Sequence, residues 1–103
     1  MYSKSELKRM FLKVLYEIQY GSMQDRSNSL HSITSFWFKN YWKANLSLTE
    51  ERLLMEAVRE LQTEGYICRE GSQRSSDFVV LTESGKEVVE LQLDPDSKAR
   101  KYY

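Results

Sequence analysis

Residues 47–89, SLTEERLLMEAVRELQTEGYICREGSQRSSDFVVLTESGKEVV, predict a helix, a β-hairpin and the start of another helix in direct succession. Apolar residues recur at helical spacing from about Thr49 to Glu64. Two runs rich in β-branched and aromatic residues follow at 66–69 and 78–81, with a polar, serine-rich loop at 70–77 between them. A helix, a hairpin and a helix in this order predict an α+β domain.

The helix predicted over about 49–64 has a buried side and an exposed side. The start of this helix can be capped either by Thr49 or by Ser47, which would form a capping box with Glu50. Gly65 is a natural C-terminal stop. The residues predicted to be buried are Leu54, Ala57, Val58 and Leu61. At about 100° per residue, the line that faces away consists of Arg52, Glu56, Arg59 and Thr63.

The C-terminal part of the chain divides into a helix and a tail. The helix is predicted to begin at either Thr82 or Ser84 and to end before Asp94–Pro95. Residues 94–103 are polar and basic, so we predict one folded domain over 1–93, followed by a flexible tail.

The first helix of the chain is the clearest one. Ser3 and Glu6 form a capping-box pattern, and Gly21 is a natural C-terminal stop. Between them, six apolar residues share one face at the spacing i, i+3, i+4, i+7, i+8, i+11, namely Leu7, Met10, Phe11, Val14, Leu15 and Ile18. The charged residues predicted for the outer side are Lys8, Arg9, Lys13 and Glu17.

Residues 21–44 connect the first helix to the stretch quoted above. Residues 21–35 are polar, which predicts a loop that is helical in part or that contains a short third strand at Ser32–Thr34. A second helix is predicted over about Ser35 to Ala44, and it contains Phe36, Trp37, Phe38, Tyr41 and Trp42. Most of this aromatic surface is expected in the core, and the surplus at Trp37, Tyr41 and Trp42 is a candidate interface.

Charge is balanced overall but unevenly distributed along the 103 residues. The net charge is zero, from 15 basic and 15 acidic residues. Residues 1–45 carry seven basic and three acidic residues, and residues 46–96 carry five and twelve. The tail from 97 to 103 has three basic residues and no acidic residue. Any basic surface is therefore expected from the first half, the hairpin loop or the tail.

The chain resembles the winged-helix superfamily over about residues 33–92, and in particular its small regulators of the PadR and MarR type. The pattern L-x-x-A-V-x-x-L-x-x-E-G-Y-I at 54–67 looks like the end of a recognition helix that runs into the wing. The sequence LTESGK at 81–86 looks like the strand-to-helix junction after the wing. The resemblance implies a winged helix-turn-helix fold with a three-helix core, a β-hairpin wing and a C-terminal helix.

The resemblance also implies a small transcriptional regulator that binds double-stranded DNA and acts as a homodimer. The helix that begins near Thr49 would then enter the groove, and the 70–77 loop would lie beside the minor groove or the backbone. In this hypothesis Arg52 and Arg59 read the groove, Arg69 and Arg74 hold the wing on the backbone, and Lys39 and Lys43 contact phosphates. Lys4, Lys8, Arg9 and Lys13 are further phosphate-contact candidates.

The acidic third helix favours a different hypothesis. The stretch 49–64 contains five glutamates and two arginines, and glutamates that face phosphates are repelled. Together with the zero net charge and the aromatic second helix, this suits a winged-helix module that binds another protein without binding DNA. Arg52 and Arg59 would then belong to an ordinary solvated helix face.

The residues needed for catalysis or metal binding are not assembled in the sequence. His31 is the sole histidine, Cys68 is the sole cysteine, and no G-x-S-x-G or glycine-rich phosphate loop is present. We therefore expect no enzymatic activity, cofactor or metal. The chain has no apolar run near the roughly 18 residues of a membrane span and no signal-peptide pattern at its start, so we expect a cytoplasmic protein without membrane contact.

Overall fold

A computed structural model describes residues 1–21, 29–34, 38–43, 45–70 and 78–92. Over these residues the chain is an α+β domain in which helices pack with a two-stranded antiparallel sheet. In chain order the elements are α1 (Lys4–Tyr20), α2 (Leu30–Ser32), α3 (Phe38–Tyr41), α4 (Leu48–Thr63), β1 (Ile67–Glu70), β2 (Phe78–Leu81) and α5 (Glu83–Glu90). Predictions for Trp37, Arg74, the 71–77 loop and the 94–103 tail lie outside the described residues.

Helix α1 is the central element of the core. The capping box of Ser3 and Glu6 begins it, and Gly21 caps its end. It packs against α4, α5 and β2, so more than one of its sides is covered. All six apolar residues predicted for its inner face are buried, and Leu12 is buried as well. The prediction that Lys8 faces outward is wrong, because only 1% of this residue is exposed.

Helix α4 is held at its start by Ser47. The Ser47 hydroxyl accepts from the Glu50 N–H at 3.2 Å, and the Glu50 carboxylate accepts from the Ser47 N–H at 3.0 Å. The Ser47 capping box is thus confirmed, and the alternative cap at Thr49 is wrong because Thr49 already lies within the helix. Gly65 follows the helix with φ of +84°, a left-handed conformation that favours glycine. The predicted buried residues Leu54, Ala57, Val58 and Leu61 are all in the core.

The β-hairpin has one buried face and one exposed face. Ile67 pairs with Leu81 and Arg69 with Val79, and Val79 and Leu81 are the buried residues of β2. A third strand at Ser32–Thr34 is wrong, because the chain is helical from Leu30 to Ser32. The hairpin is instead extended by a single antiparallel bridge between Ser29 and Phe78.

Helix α5 is anchored to the turn that joins α4 to β1. Thr82 caps it by accepting from the Gly85 N–H at 3.1 Å, so the prediction of Thr82 is confirmed and that of Ser84 is wrong. The Thr82 hydroxyl also donates to the Gly65 carbonyl at 2.5 Å. Gly85 lies so close to Tyr66 that a Cβ there would be 2.1 Å from the Tyr66 carbonyl oxygen.

The aromatic helix, predicted over about Ser35 to Ala44, ends earlier than predicted. The described helix ends at Tyr41, and Lys43 has a left-handed φ of 55°. Phe38 is fully buried, whereas Tyr41 and Trp42 are half-buried against the core. Across the described ranges, no helix is both long enough and apolar enough to cross a membrane.

Candidate nucleic-acid interface

The side of α4 opposite the core presents two arginines along one line. Arg52 and Arg59 are both exposed. They are seven residues apart, so their directions around the helix axis differ by only about 20°. Leu48 and Met55 lie on the same line and are exposed to 67% and 40%. Glu56 and Thr63 are exposed on the same side. We call Leu48, Arg52, Met55, Glu56, Arg59, Gln62 and Thr63 the α4 face.

The carboxylate of Glu50 points away from the α4 face, and only 6% of this residue is exposed. One of its oxygens accepts from the Ser47 N–H, and the other accepts from the Tyr2 N–H at 2.6 Å. These backbone donors lower the pKa of Glu50, with the Ser47 N–H the larger cause. The Glu50 carboxylate therefore caps α4 and holds the N-terminal segment.

Glu60 and Glu64 face α1, where they form a charged cluster with two lysines. The Lys8 ammonium lies 2.9 Å from a Glu60 oxygen and 3.1 Å from a Glu64 oxygen. The Lys4 ammonium lies 2.5 Å from the other Glu60 oxygen. We call these four residues the α1–α4 charge cluster. It joins the two helices that pack most extensively in the domain.

The ion pairs shift the ionisation of this cluster in the direction that keeps it charged. Hydrogen bonds from Lys4 and then Lys8 lower the pKa of Glu60. The hydrogen bond to Glu60 raises the pKa of Lys4. Lys4 and Lys8 are thus paired with glutamates of α4. The prediction that they contact phosphates is wrong for Lys8, because Lys8 is fully buried.

The exposed charge of α4 is accordingly less negative than its composition suggests. Glu51 and Glu56 are exposed on the same helix as Arg52 and Arg59, and Glu60 and Glu64 are partly exposed beside Lys4 and Lys8. Glu50, Glu60 and Glu64 all have partners within the domain. The five-to-two excess of glutamate in the sequence therefore does not describe the surface that α4 presents.

Arg69 joins the α4 face from the hairpin. It is exposed on β1, and its Nε–H donates to the Gln62 side-chain oxygen at 3.4 Å. Gln62 is on the α4 face, three residues beyond Arg59. The structure thus brings Arg52, Arg59 and Arg69 to one side of the domain, although they come from two different elements.

The remaining predicted residues lie on the α3 segment. Lys39 and Lys43 are exposed there. Trp42 is anchored to α1, since its ring N–H donates to the Met10 carbonyl at 3.2 Å. Tyr41 contacts Trp42 edge to face with ring centres 5.2 Å apart, and burial raises the pKa of Tyr41. Much of the surface proposed as an interface at Tyr41 and Trp42 is therefore used against the core.

Sequence reasoning missed the α1–α4 charge cluster, although the pattern contained a signal for it. On the α1 helical wheel Lys8 falls between Leu12 and Leu15, both of which are buried. Lys4 and Lys8 are four residues apart, as are Glu60 and Glu64, so two complementary pairs lie at matching spacing. A lysine inside an apolar arc requires a carboxylate partner from another element.

No arrangement for catalysis is apparent in the described part of the chain. His31 and Cys68 are both exposed, and no group of three metal-ligating side chains occurs there. A groove of about 690 Å³ lies between α1 and α5, lined in part by Met10, Trp42 and Val88. The carboxylate among its lining residues, Glu6, is engaged in the capping box of α1.

Comparisons of the chain with protein-family models, with curated proteins and with solved structures give no match.

Proposed function

We propose that this chain is a small winged-helix DNA-binding protein that regulates transcription, with α4 as its reading helix and β1–β2 as its wing. The order of the elements supports the fold assignment, since α1, α3 and α4 precede the hairpin and α5 follows it. The Ser29–Phe78 bridge adds a third strand position to the hairpin. Resemblance in sequence and order of elements thus point the same way.

The observation that carries the proposal is the α4 face itself. Arg52 and Arg59 project on one line of a 16-residue helix, and Arg69 stands beside its C-terminal end. Three of the five glutamates that would repel DNA phosphates have partners inside the domain. Glu50 accepts hydrogen bonds from the Ser47 and Tyr2 N–H groups, and Glu60 and Glu64 form ion pairs with Lys4 and Lys8. Arginine is the side chain best suited to bidentate contact with phosphate and with guanine.

The test is fluorescence anisotropy of a labelled duplex titrated with the protein at low and moderate salt. If three to five cations among Arg52, Arg59, Arg69, Lys39 and Lys43 neutralise phosphates, affinity falls about 40- to 500-fold between roughly 50 and 200 mM salt. Replacing both Arg52 and Arg59 by glutamine is expected to abolish most of the binding. The control is Lys86→Gln, which removes a cation from α5, where Lys86 lies over the Tyr20 ring. Absence of binding at low salt contradicts the proposal.

A second candidate is a winged-helix module that binds another protein through the same face. The observation that favours it is the exposure of Leu48 and Met55, because exposed apolar side chains beside arginines are common in protein interfaces. This second candidate would be supported by two results together: the protein binds no DNA, and a Leu48→Ser, Met55→Ser variant no longer captures a protein partner that the unmodified protein captures.

The proposed DNA-binding form is a homodimer. Symmetric half-sites on DNA are commonly bound by two copies of a helix-turn-helix protein. Sedimentation velocity at high protein concentration tests this, with an expected mass of twice 12.2 kDa. A single species of 12.2 kDa would contradict it.

A further inference from the structure

We propose that the groove between α1 and α5 is a docking site for an acidic, amphipathic helix of another protein. The groove has a volume of about 690 Å³, and none of its lining residues belongs to the α4 face. The proposal therefore goes beyond DNA binding and does not depend on it. It rests on the apolar lining of the groove, on the contacts that fix its walls and on the charges along its edge.

The groove is lined by apolar side chains of α1, α5 and the α3 segment. Met10 and Val88 are buried, and Trp42 and Val89 are half-buried. Apolar side chains of a partner would displace water from this lining, which is favourable. The groove is open to solvent on one side rather than enclosed. A small molecule is usually held in a pocket that covers most of its surface, whereas a helix laid into a groove needs cover on one face only, so the shape favours a helix.

Contacts within the domain fix the walls of the groove. The Trp42 ring N–H donates to the Met10 carbonyl at 3.2 Å, which ties the α3 segment to α1. The Tyr16 hydroxyl donates to the Glu90 carboxylate at 2.9 Å, which ties α1 to α5. A groove that is already formed spares a partner the cost of ordering it.

The edge of the groove that α1 provides carries two cations. Arg9 is exposed, and Lys13, one turn further along α1, has 44% of its side chain exposed. Lys13 lies 3.5 Å from Glu17, in an ion pair of a kind that contributes little stability and is easily exchanged for another. Among the lining residues that the structure describes, the one carboxylate is Glu6, which accepts from the Ser3 N–H at 3.0 Å. Two cations against one engaged carboxylate favour a partner with acidic side chains one turn apart.

The combination of charge and apolar surface selects a peptide over a nucleic acid. A phosphate backbone would meet Arg9 and Lys13 but would leave the apolar lining without a partner. An amphipathic helix places glutamates beside an apolar stripe, so it satisfies both parts of the groove at once.

The experiment is selection from a displayed library of helical peptides of about 16 residues, a length near the lower limit for a stable isolated helix. Each peptide carries leucines at the spacing i, i+3, i+4 and i+7, and the flanking positions vary among glutamate, lysine and glutamine. The protein is expected to enrich peptides with flanking glutamates. A selected peptide is expected to shift the backbone amide NMR signals of Arg9, Lys13 and Val89 and the ring N–H signal of Trp42.

Charge reversal on the groove edge provides the variant and its control. Arg9→Glu, Lys13→Glu is expected to weaken binding of the selected peptide by at least about 10-fold and to turn the selection toward lysine. Arg52→Glu, Arg59→Glu makes the same change of net charge on the α4 face and is expected to leave peptide binding unchanged. Should the reversed variant not fold, Arg9→Gln, Lys13→Gln is expected to show a smaller loss in the same direction.

Several outcomes would overturn the proposal. Selection without enrichment of glutamate contradicts an acidic partner, and NMR shifts confined to the α4 face contradict the location. Shifts of the groove signals when the protein alone is concentrated would assign the groove to a second copy of the chain. Shifts of those signals by dodecanoate, with no peptide selected, would assign the groove to a small amphiphilic anion. Binding of duplex DNA is measured separately, so its presence or absence leaves the proposal untouched.

Discussion

The Lys8 ammonium lies 2.9 Å from the Glu60 carboxylate, yet the two side chains differ sharply in their access to water. Only 1% of the Lys8 side chain is exposed, compared with 41% of the Glu60 side chain. The lysine therefore depends on the pair for its charge to be tolerated, whereas the glutamate retains water as an alternative partner. The two halves of this ion pair are accordingly expected to respond differently to substitution.

Removing the carboxylates is expected to cost far more stability than removing the lysine. In a Glu60→Ala, Glu64→Ala double variant the buried Lys8 loses both of these carboxylates, and we expect a loss of about 3 kcal/mol. Lys8→Met keeps the volume and removes the buried charge, with an expected loss under about 1.5 kcal/mol. Urea unfolding followed by circular dichroism measures both.

The control for this pair of variants is Glu56→Ala, since Glu56 is an exposed glutamate of the same helix. It is expected to change stability by less than about 0.5 kcal/mol. A Lys8→Met variant less stable than the double alanine variant would contradict the expectation that losing the carboxylates costs more stability than losing the lysine.

Stability is expected to fall in acid because of Glu60 in this cluster and Glu50 at the start of α4. The lowered pKa values of Glu60 and Glu50 mean that the folded state binds these protons less readily than the unfolded state does. Their contribution is present above the ordinary glutamate pKa of about 4.3 and is lost as the pH falls through the lower folded pKa. The urea midpoint is therefore expected to drop between about pH 5 and pH 3. In Glu60→Gln the drop should be smaller, and an unchanged pH profile in that variant would remove Glu60 from the explanation.

The cap of α4 gives a prediction with a control two residues away. Ser47→Ala removes the hydroxyl that accepts from the Glu50 N–H and is expected to cost about 1 kcal/mol. Thr49→Ala replaces an exposed residue inside the helix and is expected to cost less than about 0.5 kcal/mol. Thermal or urea unfolding distinguishes the two, and equal losses would mean that the capping box contributes little.

The helices and strands were predictable from sequence wherever a local pattern was compatible with only one structure. The ends of α1, the glycine stop of α4 and the two hairpin strands follow from capping residues, periodicity and β-branched runs that need no tertiary information. The start of α4 was open because Ser47 and Thr49 both satisfy the capping preference, and only the backbone geometry distinguishes them. The third strand was misplaced at Ser32–Thr34 because short polar segments carry little periodic signal.

The candidate site was less predictable, because charge counting along a sequence ignores where the charges point. Arg52 and Arg59 were correctly expected on an exposed line, since helical periodicity determines direction. The neutralisation of Glu60 by Lys4 and Lys8 depends on the packing of α1 against α4, across a separation of more than 50 residues. Sequence alone therefore overstated the negative charge that α4 presents.

Gly85 and Gly65 are expected to be intolerant of substitution for different reasons. A Cβ at Gly85 would collide with the Tyr66 carbonyl, so Gly85→Ala and Gly85→Asn should both lose about 1–3 kcal/mol or more. Gly65 has open space but a φ of +84°, so Gly65→Ala should lose about 1–2 kcal/mol. Gly65→Asn should lose less, because asparagine tolerates the left-handed region. Urea unfolding of the four variants tests this, and rescue of Gly85 by asparagine would contradict the steric explanation.

Arg69 allows the proposed wing to be tested separately from the proposed reading helix. If Arg69 holds the hairpin on the DNA backbone, Arg69→Gln should reduce the salt slope of binding by about 1 and weaken binding to all duplexes equally. Its contact with Gln62 places it at the end of the α4 face without making it part of the arginine line. The control is Lys86→Gln, which removes a cation from α5, where Lys86 lies over the Tyr20 ring. Anisotropy across a salt series measures both slopes. A change of base preference in Arg69→Gln would instead assign Arg69 to base reading, and an unchanged slope would exclude it from the interface.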